Sequence, residues 1–243
     1  MAPPSMEPLA FPKLAEGRLS ILVINAKGGS GKTTITTNLA AAYACAGVAT
    51  ALVDHDPQAS ATQWLEARSE ARKPIAAVSA HASGAGVTRA FLLRQARSAD
   101  RIIVDTPAAL ATTSLGQWVG EADRIVVPVL PSAIDIKAAS RFLGTLLLDP
   151  TMRARRVPLA VVANRVRHNT LVYEKLTRFL RSLDIPFVAT IRDTQNFVRG
   201  ADSGDGVFDT AMPQVERDRQ AFRDLVQWIE APPPTRRIGT SPP

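Results

Sequence analysis

Residues 26–34 of the chain read Ala-Lys-Gly-Gly-Ser-Gly-Lys-Thr-Thr, and this short stretch decides the fold. It follows an apolar run, residues 19–25, that is typical of a buried strand. It opens a segment whose apolar residues recur at helical spacing from Ile35 onward. A glycine-rich loop between a strand and a helix is the setting of a phosphate-binding loop. We therefore expect the phosphate chain of a nucleotide to bind here.

The side chains of the loop suit that chemistry. Gly28, Gly29 and Gly31 allow a tight turn whose backbone N–H groups face phosphate oxygens, and the positive end of the following helix adds to the attraction. Lys32 is expected at the β- and γ-phosphates and the Thr33 hydroxyl at Mg²⁺. An ordinary glycine-rich turn is the alternative. The joint occurrence of strand, loop, helix and Gly-Lys-Thr argues against it.

The composition is that of a globular protein. The chain has 243 residues, of which 46% are hydrophobic and 21% charged. No apolar run approaches the length of about 18 residues that a membrane-spanning helix needs. The first residues lack the basic-then-apolar order of a secretory signal. The single cysteine, Cys45, excludes a disulfide framework and a multi-cysteine metal site within one chain. The cytoplasm is the expected compartment.

Seven short apolar runs alternate with helical patterns along the chain. Most of the runs lack polar alternation, as strands covered on both faces do. They cover residues 19–25, 50–54, 75–79, 101–105, 124–130, 158–163 and 187–191. This order predicts an α/β fold with a doubly wound, mostly parallel sheet flanked by helices on both faces. We expect a flexible segment at residues 1–17, one domain over residues 18–230, and a Pro-rich flexible tail at residues 231–243.

Acidic residues stand at the ends of two of these strands. Asp54 and Asp56 close the second run within Asp-His-Asp-Pro-Gln, and Asp105 closes the fourth. Strand ends converge on the crevice where an open parallel sheet binds ligands, so we expect these carboxylates beside the phosphate loop. A single aspartate after a strand is more often a turn or helix-cap residue. For Asp54 that structural role stays open.

Three segments together resemble the ParA/MinD family of ATPases. Residues 27–33 are similar to the deviant Walker A motif of that family, residues 54–58 to its Asp-x-Asp-Pro-Gln stretch, and residues 101–107 to its Walker B strand. The resemblance covers about residues 19–230 and implies a P-loop NTPase fold of the deviant Walker A type, with ATP and Mg²⁺ as cofactors. It further implies an ATP-sandwich homodimer in which Lys27 of one chain reaches the phosphates bound by the other.

The same resemblance implies roles for particular residues. The nucleotide would contact Lys27, Gly28, Gly29, Ser30, Gly31, Lys32, Thr33 and Thr34. The catalytic residues would be Lys27, Lys32 and Asp56, the last of which would orient the attacking water. The Mg²⁺ ion would be held by Thr33, Asp56 and Asp105, with the carboxylates acting through water. Two candidates for the adenine contact, with turn formation as their alternative, are Asn164 and Asp193.

The charge of the chain points to a polyanionic partner. The net charge is +7, and residues 151–243 hold 15 basic against 10 acidic side chains. This excess is typical of a protein that binds nucleic acid or a membrane surface, and general solubility is the alternative. The resemblance favours double-stranded DNA bound without sequence preference. The candidate DNA contacts are Arg165, Arg167, Arg192, Arg199 and Arg223.

Within the family, the chain most resembles small single-domain ParA-like proteins of the McdA and PpfA kinds. This implies an ATPase that binds nucleoid DNA as a homodimer. It would position a carboxysome, a chemoreceptor cluster, a plasmid or similar cargo, with a ParB-like or other adaptor stimulating hydrolysis. A MinD-like membrane regulator, a small-molecule phosphoryl-transfer enzyme and a DNA-binding repressor are the alternatives. The last predicted helix, residues 214–230, has a mixed-charge outer face and is followed by prolines, which disfavours a membrane-targeting helix.

Overall fold

Parallel strands form the centre of the protein. The computed structural model describes residues 14–80, 96, 98–108, 110, 112–167, 170–182 and 185–233. Its strands are β1 (Leu19–Val23), β2 (Thr50–Asp54), β3 (Ala76–Ser79), β4 (Arg101–Asp105), β5 (Arg124–Val129), β6 (Leu159–Val166) and β7 (Phe187–Arg192). They form one sheet in the order β3-β2-β4-β1-β5-β6-β7, and every neighbouring pair is parallel. The predicted α/β fold is confirmed.

Helices cover both faces of this sheet. They are α1 (Lys32–Cys45), α2 (Ser60–Ala67), α3 (Leu115–Gly120), α4 (Ala133–Leu148), α5 (Pro150–Arg155), α6 (Leu171–Arg181), α7 (Gln195–Ser203) and α8 (Glu216–Glu230). Four of them begin at side-chain caps that accept backbone N–H bonds of the first turn, namely Ser132, Asp149, Thr170 and Thr194. Helix α1 has no such side-chain cap, because its first N–H groups belong to the glycine-rich loop.

Two apolar clusters hold the helices to the sheet. On one face, helices α3 to α6 pack through buried residues such as Trp118, Phe142 and Leu176. On the other face, α1, α2 and α8 pack through buried residues such as Leu39 and Phe222, and α7 adds partly buried Phe197. Each strand contributes alternate side chains to the two clusters, which is why the strands read as continuous apolar runs in the sequence. No helix among the described residues has the length and apolar content to cross a membrane.

A buried ionic network closes the amino end of the sheet. The Arg101 guanidinium, 2% exposed, donates to both carboxylate oxygens of Glu230 at 2.7 and 2.8 Å. Glu230 also accepts from the Tyr43 hydroxyl at 2.7 Å and from the Ala15 backbone N–H at 2.8 Å. The network joins β4, the end of α8 and the residues before β1. Of the segment expected to be flexible, Ala15 and Gly17 bond to this network, with both carbonyls accepting from Arg101 at 2.8 Å, and the first thirteen residues lie outside the described residues.

The structure moves several of the predicted boundaries, and two of these shifts concern β6 and the last helix. Strand β6 was expected to end at residue 163, but it continues to Val166 through a register irregularity at which Arg165 has a φ of 51°. Asn164 therefore lies inside the strand and not after it. The last helix begins at Glu216, because a separate 3-10 turn, Pro213–Val215, occupies the residues that the sequence assigned to its start.

Candidate functional site

The glycine-rich loop lies at the carboxyl end of β1, in the middle of the sheet. Gly29 and Gly31 have φ angles of 73° and 92°, a conformation that favours glycine. Asn25, at the start of the loop, fixes it on both sides. Its amide donates to the Pro128 carbonyl at 2.6 Å, and its side-chain oxygen accepts the Lys27 N–H at 2.9 Å. The loop is therefore tied to the end of the neighbouring strand β5.

The expected cation residues meet at the start of α1. The Thr33 hydroxyl donates to Asp105 at 2.7 Å, and the Thr36 hydroxyl, one turn later, donates to the other oxygen of the same carboxylate at 3.2 Å. Asp105 is fully buried at the end of β4. Neighbouring strands β1 and β4 run in register, which brings Asp105 beside the loop despite 72 intervening positions.

Burial shifts the pKa values of Asp105 and Lys32 in opposite directions. It raises the pKa of Asp105 to about 7, and the nearby charge of Asp54 adds to that effect. Hydrogen bonds from Thr33 and Thr36 and the charge of Lys32 act in the opposite direction. Burial lowers the pKa of Lys32, although the charges of Asp105 and Asp56 oppose it. Lys32 is only 6% exposed, so its ammonium group lies in a region where electrostatic attraction is strong.

Asp54 and Asp56 have different surroundings. The buried carboxylate of Asp54 accepts the Asp56 N–H at 3.0 Å, and it accepts both the N–H and the hydroxyl of Thr62 at 2.8 and 3.0 Å. It thus ties the loop after β2 to the first turn of α2. Asp56 is partly exposed, and its carboxylate accepts the Gln58 N–H at 2.9 Å. The structural role that stayed open for Asp54 is the one its contacts support.

The two adenine candidates are engaged with protein atoms. The Asn164 amide donates to the Ser30 carbonyl of the glycine-rich loop at 2.8 Å. Asp193, after β7, forms an ion pair with Arg167 at 2.8 Å. Both residues lie on the side of the loop toward β6 and β7, so the topology brings them to the same edge of the sheet. A contact of either with a base stays a prediction.

Lys27 reaches the start of helix α4. Its ammonium nitrogen lies 3.0 Å from Asp135, and the side chain of Lys27 is 42% exposed. Asp135 belongs to the capped first turn of α4, where its backbone N–H donates to the Ser132 hydroxyl at 3.1 Å. The lysine therefore has a partner within its own chain, on the surface at the carboxyl edge of the sheet.

The residues present fit a nucleotide and a divalent cation. Among the described residues, the buried Ser30 hydroxyl has no hydrogen-bond partner and the N-terminus of α1 has no side-chain cap. Both features leave donors directed at a position where phosphate oxygens would be held. Thr33, Asp56 and Asp105 offer only oxygen ligands, the type that Mg²⁺ prefers.

The five candidate DNA contacts differ in their surroundings. Arg192 is paired with buried Asp218 at 2.8 Å, and Arg223 with Glu216 at 2.5 Å. Arg167 is paired with Asp193, as described above. Arg165 and Arg199 are exposed, and no ion pair involves either among the residues the structure describes.

Several residues of the site were not singled out from the sequence. Asn25 and Thr36 flank the loop, Thr62 completes the Asp54 interactions, and Asp135 is the partner of Lys27. Thr36 could have been found, since it follows Thr33 at a spacing that puts both hydroxyls on one side of a helix. Nothing local to Asp135 marks it, because its partner is 108 positions earlier in the chain.

Known proteins are similar to most of this chain. Residues 21–207 match the family model described as the CobQ/CobB/MinD/ParA nucleotide binding domain. Maintenance of carboxysome distribution protein A of Gloeobacter kilaueensis is 34% identical over 186 residues, which is 76% of this chain and 81% of that protein. The chromosome-partitioning ATPase Soj of Thermus thermophilus is 27% identical over 193 residues, 67% of this chain and 75% of that protein.

Solved structures show the same fold. Apo McdA from Cyanothece has a TM-score of 0.67 at 16% identity, covering 85% of this chain and 98% of that one. The MinD cell division protein of Aquifex aeolicus has a TM-score of 0.66 at 19% identity, covering 88% and 99%.

Proposed function

The chain belongs to the CobQ/CobB/MinD/ParA nucleotide-binding domain family, and on that premise we propose that it is an ATP-hydrolysing switch that positions a cargo on DNA. The observation that carries the proposal is the meeting of Lys32, Thr33, Asp56 and Asp105 around one glycine-rich loop. The names of two relatives suggest the process that the switch serves, since one is named for carboxysome distribution and the other for chromosome partitioning.

The residues of the site have distinct parts in this proposal. Bound ATP and Mg²⁺ supply the γ-phosphoryl group and a positive charge beside its oxygens. Lys32 donates to phosphate oxygens from a buried position, where its charge is little screened. Thr33 and Asp105 hold the cation, and Asp56 orients the attacking water. Asp54 keeps the Asp56 loop in place through the bonds to the Asp56 and Thr62 backbone.

We assign Lys27 to a second copy of the chain. Its ammonium group is at the surface, held by a single carboxylate that an ATP-bound partner subunit could replace with phosphate oxygens. Two exposed apolar side chains, Ile134 at 73% and Leu171 at 77%, stand at the starts of α4 and α6, on the same edge of the sheet. Exposed apolar residues on the same edge as a surface lysine are typical of a surface that is covered in an oligomer.

The cycle then follows from the γ-phosphate. ATP binding orders the Asp56 loop and closes the homodimer, the closed dimer binds DNA, and hydrolysis reverses both steps. An adaptor on the cargo stimulates hydrolysis, so that the dimer is released from DNA where the cargo is.

Binding to a random-sequence DNA duplex tests this function. It should be measured without nucleotide, with ADP–Mg²⁺ and with ATP–Mg²⁺, at two salt concentrations. We expect salt-sensitive binding with ATP alone, and Lys32→Ala should lack it because the nucleotide cannot be held. Equal binding in all three states would remove the switch, and no binding in any state would remove the DNA partner.

A further inference from the structure

The two helical layers of the protein differ in charge. Helices α3 to α6, on one face of the sheet, carry seven basic and two acidic residues. Helices α1, α2, α7 and α8, on the other face, carry five basic and six acidic residues. The C-terminal third of the sequence has an excess of basic residues. Among the folded helices, that excess is confined to one layer.

Ion pairing sharpens this difference. Within the described residues, no basic residue of α4, α5 or α6 forms an ion pair. The basic partners are Lys27, Arg68, Arg72, Arg101, Arg167, Arg192, Arg219 and Arg223. In the other layer, Arg219 and Arg223 of α8 pair with Glu216 of the same helix, while Arg199 and Arg217 form no ion pair among the residues described. The charge of the α4–α6 layer is left for a partner outside the chain.

We propose that the DNA backbone lies across the exposed faces of α4 and α6, on Lys137, Arg141, Lys175 and Arg178. This basic surface rests on the proposed DNA-bound function and names its site. The four side chains are exposed, while the apolar residues of the same helices, such as Phe142 and Leu176, are buried in the core. Core packing therefore fixes the two helices, and their four basic side chains face the solvent.

The geometry of two adjacent helices suits a phosphate backbone. Lys137 and Arg141 are one turn apart on α4, and Lys175 and Arg178 are three positions apart on α6. The two helices pack side by side, a spacing of about 8–10 Å in proteins. The resulting four-cation patch spans several phosphates, which follow one another at about 3.4 Å of axial rise per strand.

Helix-end effects do not explain the patch. Arg178 and Arg181 lie in the last turn of α6, where a cation stabilises the helix dipole. Lys137 and Arg141 lie in the interior of α4, where that effect is absent. A membrane surface fits less well, because an interfacial helix inserts its apolar face, and here that face is occupied by the protein core.

The position of the basic surface links it to nucleotide state. Asp135, the partner of Lys27, lies in the first turn of α4, and exposed Leu171 is the first residue of α6. Both lie on the edge where the second copy is proposed to bind. Pairing of two chains there brings two basic surfaces onto one assembly. Doubling the number of phosphate contacts steepens the salt dependence and raises affinity, so DNA binding would follow dimer formation.

A matched pair of quadruple variants tests the assignment. The first changes Lys137→Gln, Arg141→Gln, Lys175→Gln and Arg178→Gln. The control removes the same charge elsewhere, through Arg165→Gln, Arg199→Gln, Arg217→Gln and Arg223→Gln, and so also tests three of the DNA contacts expected from the sequence. Both are assayed on the random duplex with ATP–Mg²⁺ over a salt series, with ATP binding and dimer formation as checks that the fold and the switch persist.

We expect the first variant to lose at least about tenfold in affinity and to flatten the log–log salt slope by about 0.9 per lost phosphate contact, and the control to stay near the wild type. An equal loss in both variants, or a loss in the control alone, overturns the inference while leaving the DNA-bound function intact. A wild type that ignores duplex but binds anionic phosphatidylglycerol vesicles through the same four residues overturns both.

Discussion

The ammonium group of Lys27 lies 3.0 Å from the carboxylate of Asp135, in the same chain. This contact holds the lysine on the surface at the edge of the sheet where a second copy is proposed to bind. A lysine that serves a partner's nucleotide must first leave this carboxylate. The ion pair therefore opposes closure of the dimer until phosphate oxygens compete for the lysine.

Removing the carboxylate should tighten the ATP-dependent dimer. In Asp135→Asn the lysine has no charged partner to leave, and since exposed pairs are worth about 0.2–1 kcal/mol, we expect up to about a fivefold gain in dimer affinity. Sedimentation velocity with ATP–Mg²⁺ measures it. Lys27→Gln is the comparison and should weaken the dimer, because it removes the transferred charge. If both variants weaken the dimer alike, the pair is a structural element only.

Asp56 and Asp54 should separate hydrolysis from loop structure. Asp56→Ala should retain ATP binding but lose about 10²–10⁴-fold in hydrolysis, because the water is no longer oriented. Asp54→Asn should lose about 1–3 kcal/mol of unfolding free energy, because the bonds from Asp56 and Thr62 lose their charged acceptor. Single-turnover hydrolysis and urea unfolding measure the two effects. A fully stable Asp54→Asn protein that is as inactive as Asp56→Ala would make Asp54 catalytic.

The buried carboxyl of Asp105 should make the stability of the nucleotide-free, metal-free protein fall with rising pH. Its folded pKa is about 7, against an ordinary value of 3.8, so between these two pH values the folded state keeps a proton that the unfolded state releases. The free energy of unfolding therefore decreases across this window. The total change is on the order of 4 kcal/mol at most.

The variant Asp105→Asn isolates this titration. Its amide oxygen can still accept one of the two threonine hydroxyls, but the side chain cannot ionise. In urea unfolding between pH 4 and pH 8, the free energy of unfolding of the variant should increase relative to that of the wild type as pH rises. The difference should not increase further above about pH 7. A difference that is constant over the whole range would contradict the raised pKa.

The fold could be predicted from the sequence because the patterns that indicate it lie within short segments of the chain. Five of the strands are continuous apolar runs, and the loop at residues 26–34 carries its own turn residues. The end of β6 could not be predicted, because Asn164 and Arg165 are polar and the irregular register there is set by pairing with β7. Polarity suggested a strand end where the structure has a bend within the strand.

For a related reason, the sequence could not predict which basic residues lack an ion-pair partner. Arg192 was expected to contact DNA, yet its carboxylate partner, Asp218, comes from helix α8, 26 positions later in the chain. Which cations are neutralised depends on tertiary packing and not on the local charge balance. The same holds for Lys27, whose partner lies on α4.

The Arg101–Glu230 network should be a main source of stability at the amino end of the sheet. Arg101→Met leaves the buried Glu230 carboxylate without its charged partner, so we expect a loss of about 3–5 kcal/mol. Arg223→Met removes one partner of an exposed pair, with an expected loss of about 1 kcal/mol or less. Urea unfolding compares them. Similar losses would show that burial adds nothing to the first pair.

Gly31 and Gly29 should respond differently to the same substitution. Both have positive φ angles, 92° and 73°, so alanine at either site carries a backbone cost of about 1–2 kcal/mol. At Gly31 the new Cβ would also collide with the Asn164 side-chain amide, whereas at Gly29 no atom of the described residues lies within 4 Å of it. Gly31→Ala must therefore displace Asn164 from the Ser30 carbonyl and distort the loop.

We accordingly expect Gly31→Ala to lose ATP affinity by at least about two orders of magnitude, and Gly29→Ala to lose no more than its backbone strain dictates, about 5–30-fold. Fluorescent-nucleotide titration measures both. Adding Asn164→Ala to Gly31→Ala removes the collision but not the strain, so the double variant should recover toward the affinity of Gly29→Ala. If it does not recover, the defect of Gly31→Ala lies in the backbone and Asn164 has no part in shaping the loop.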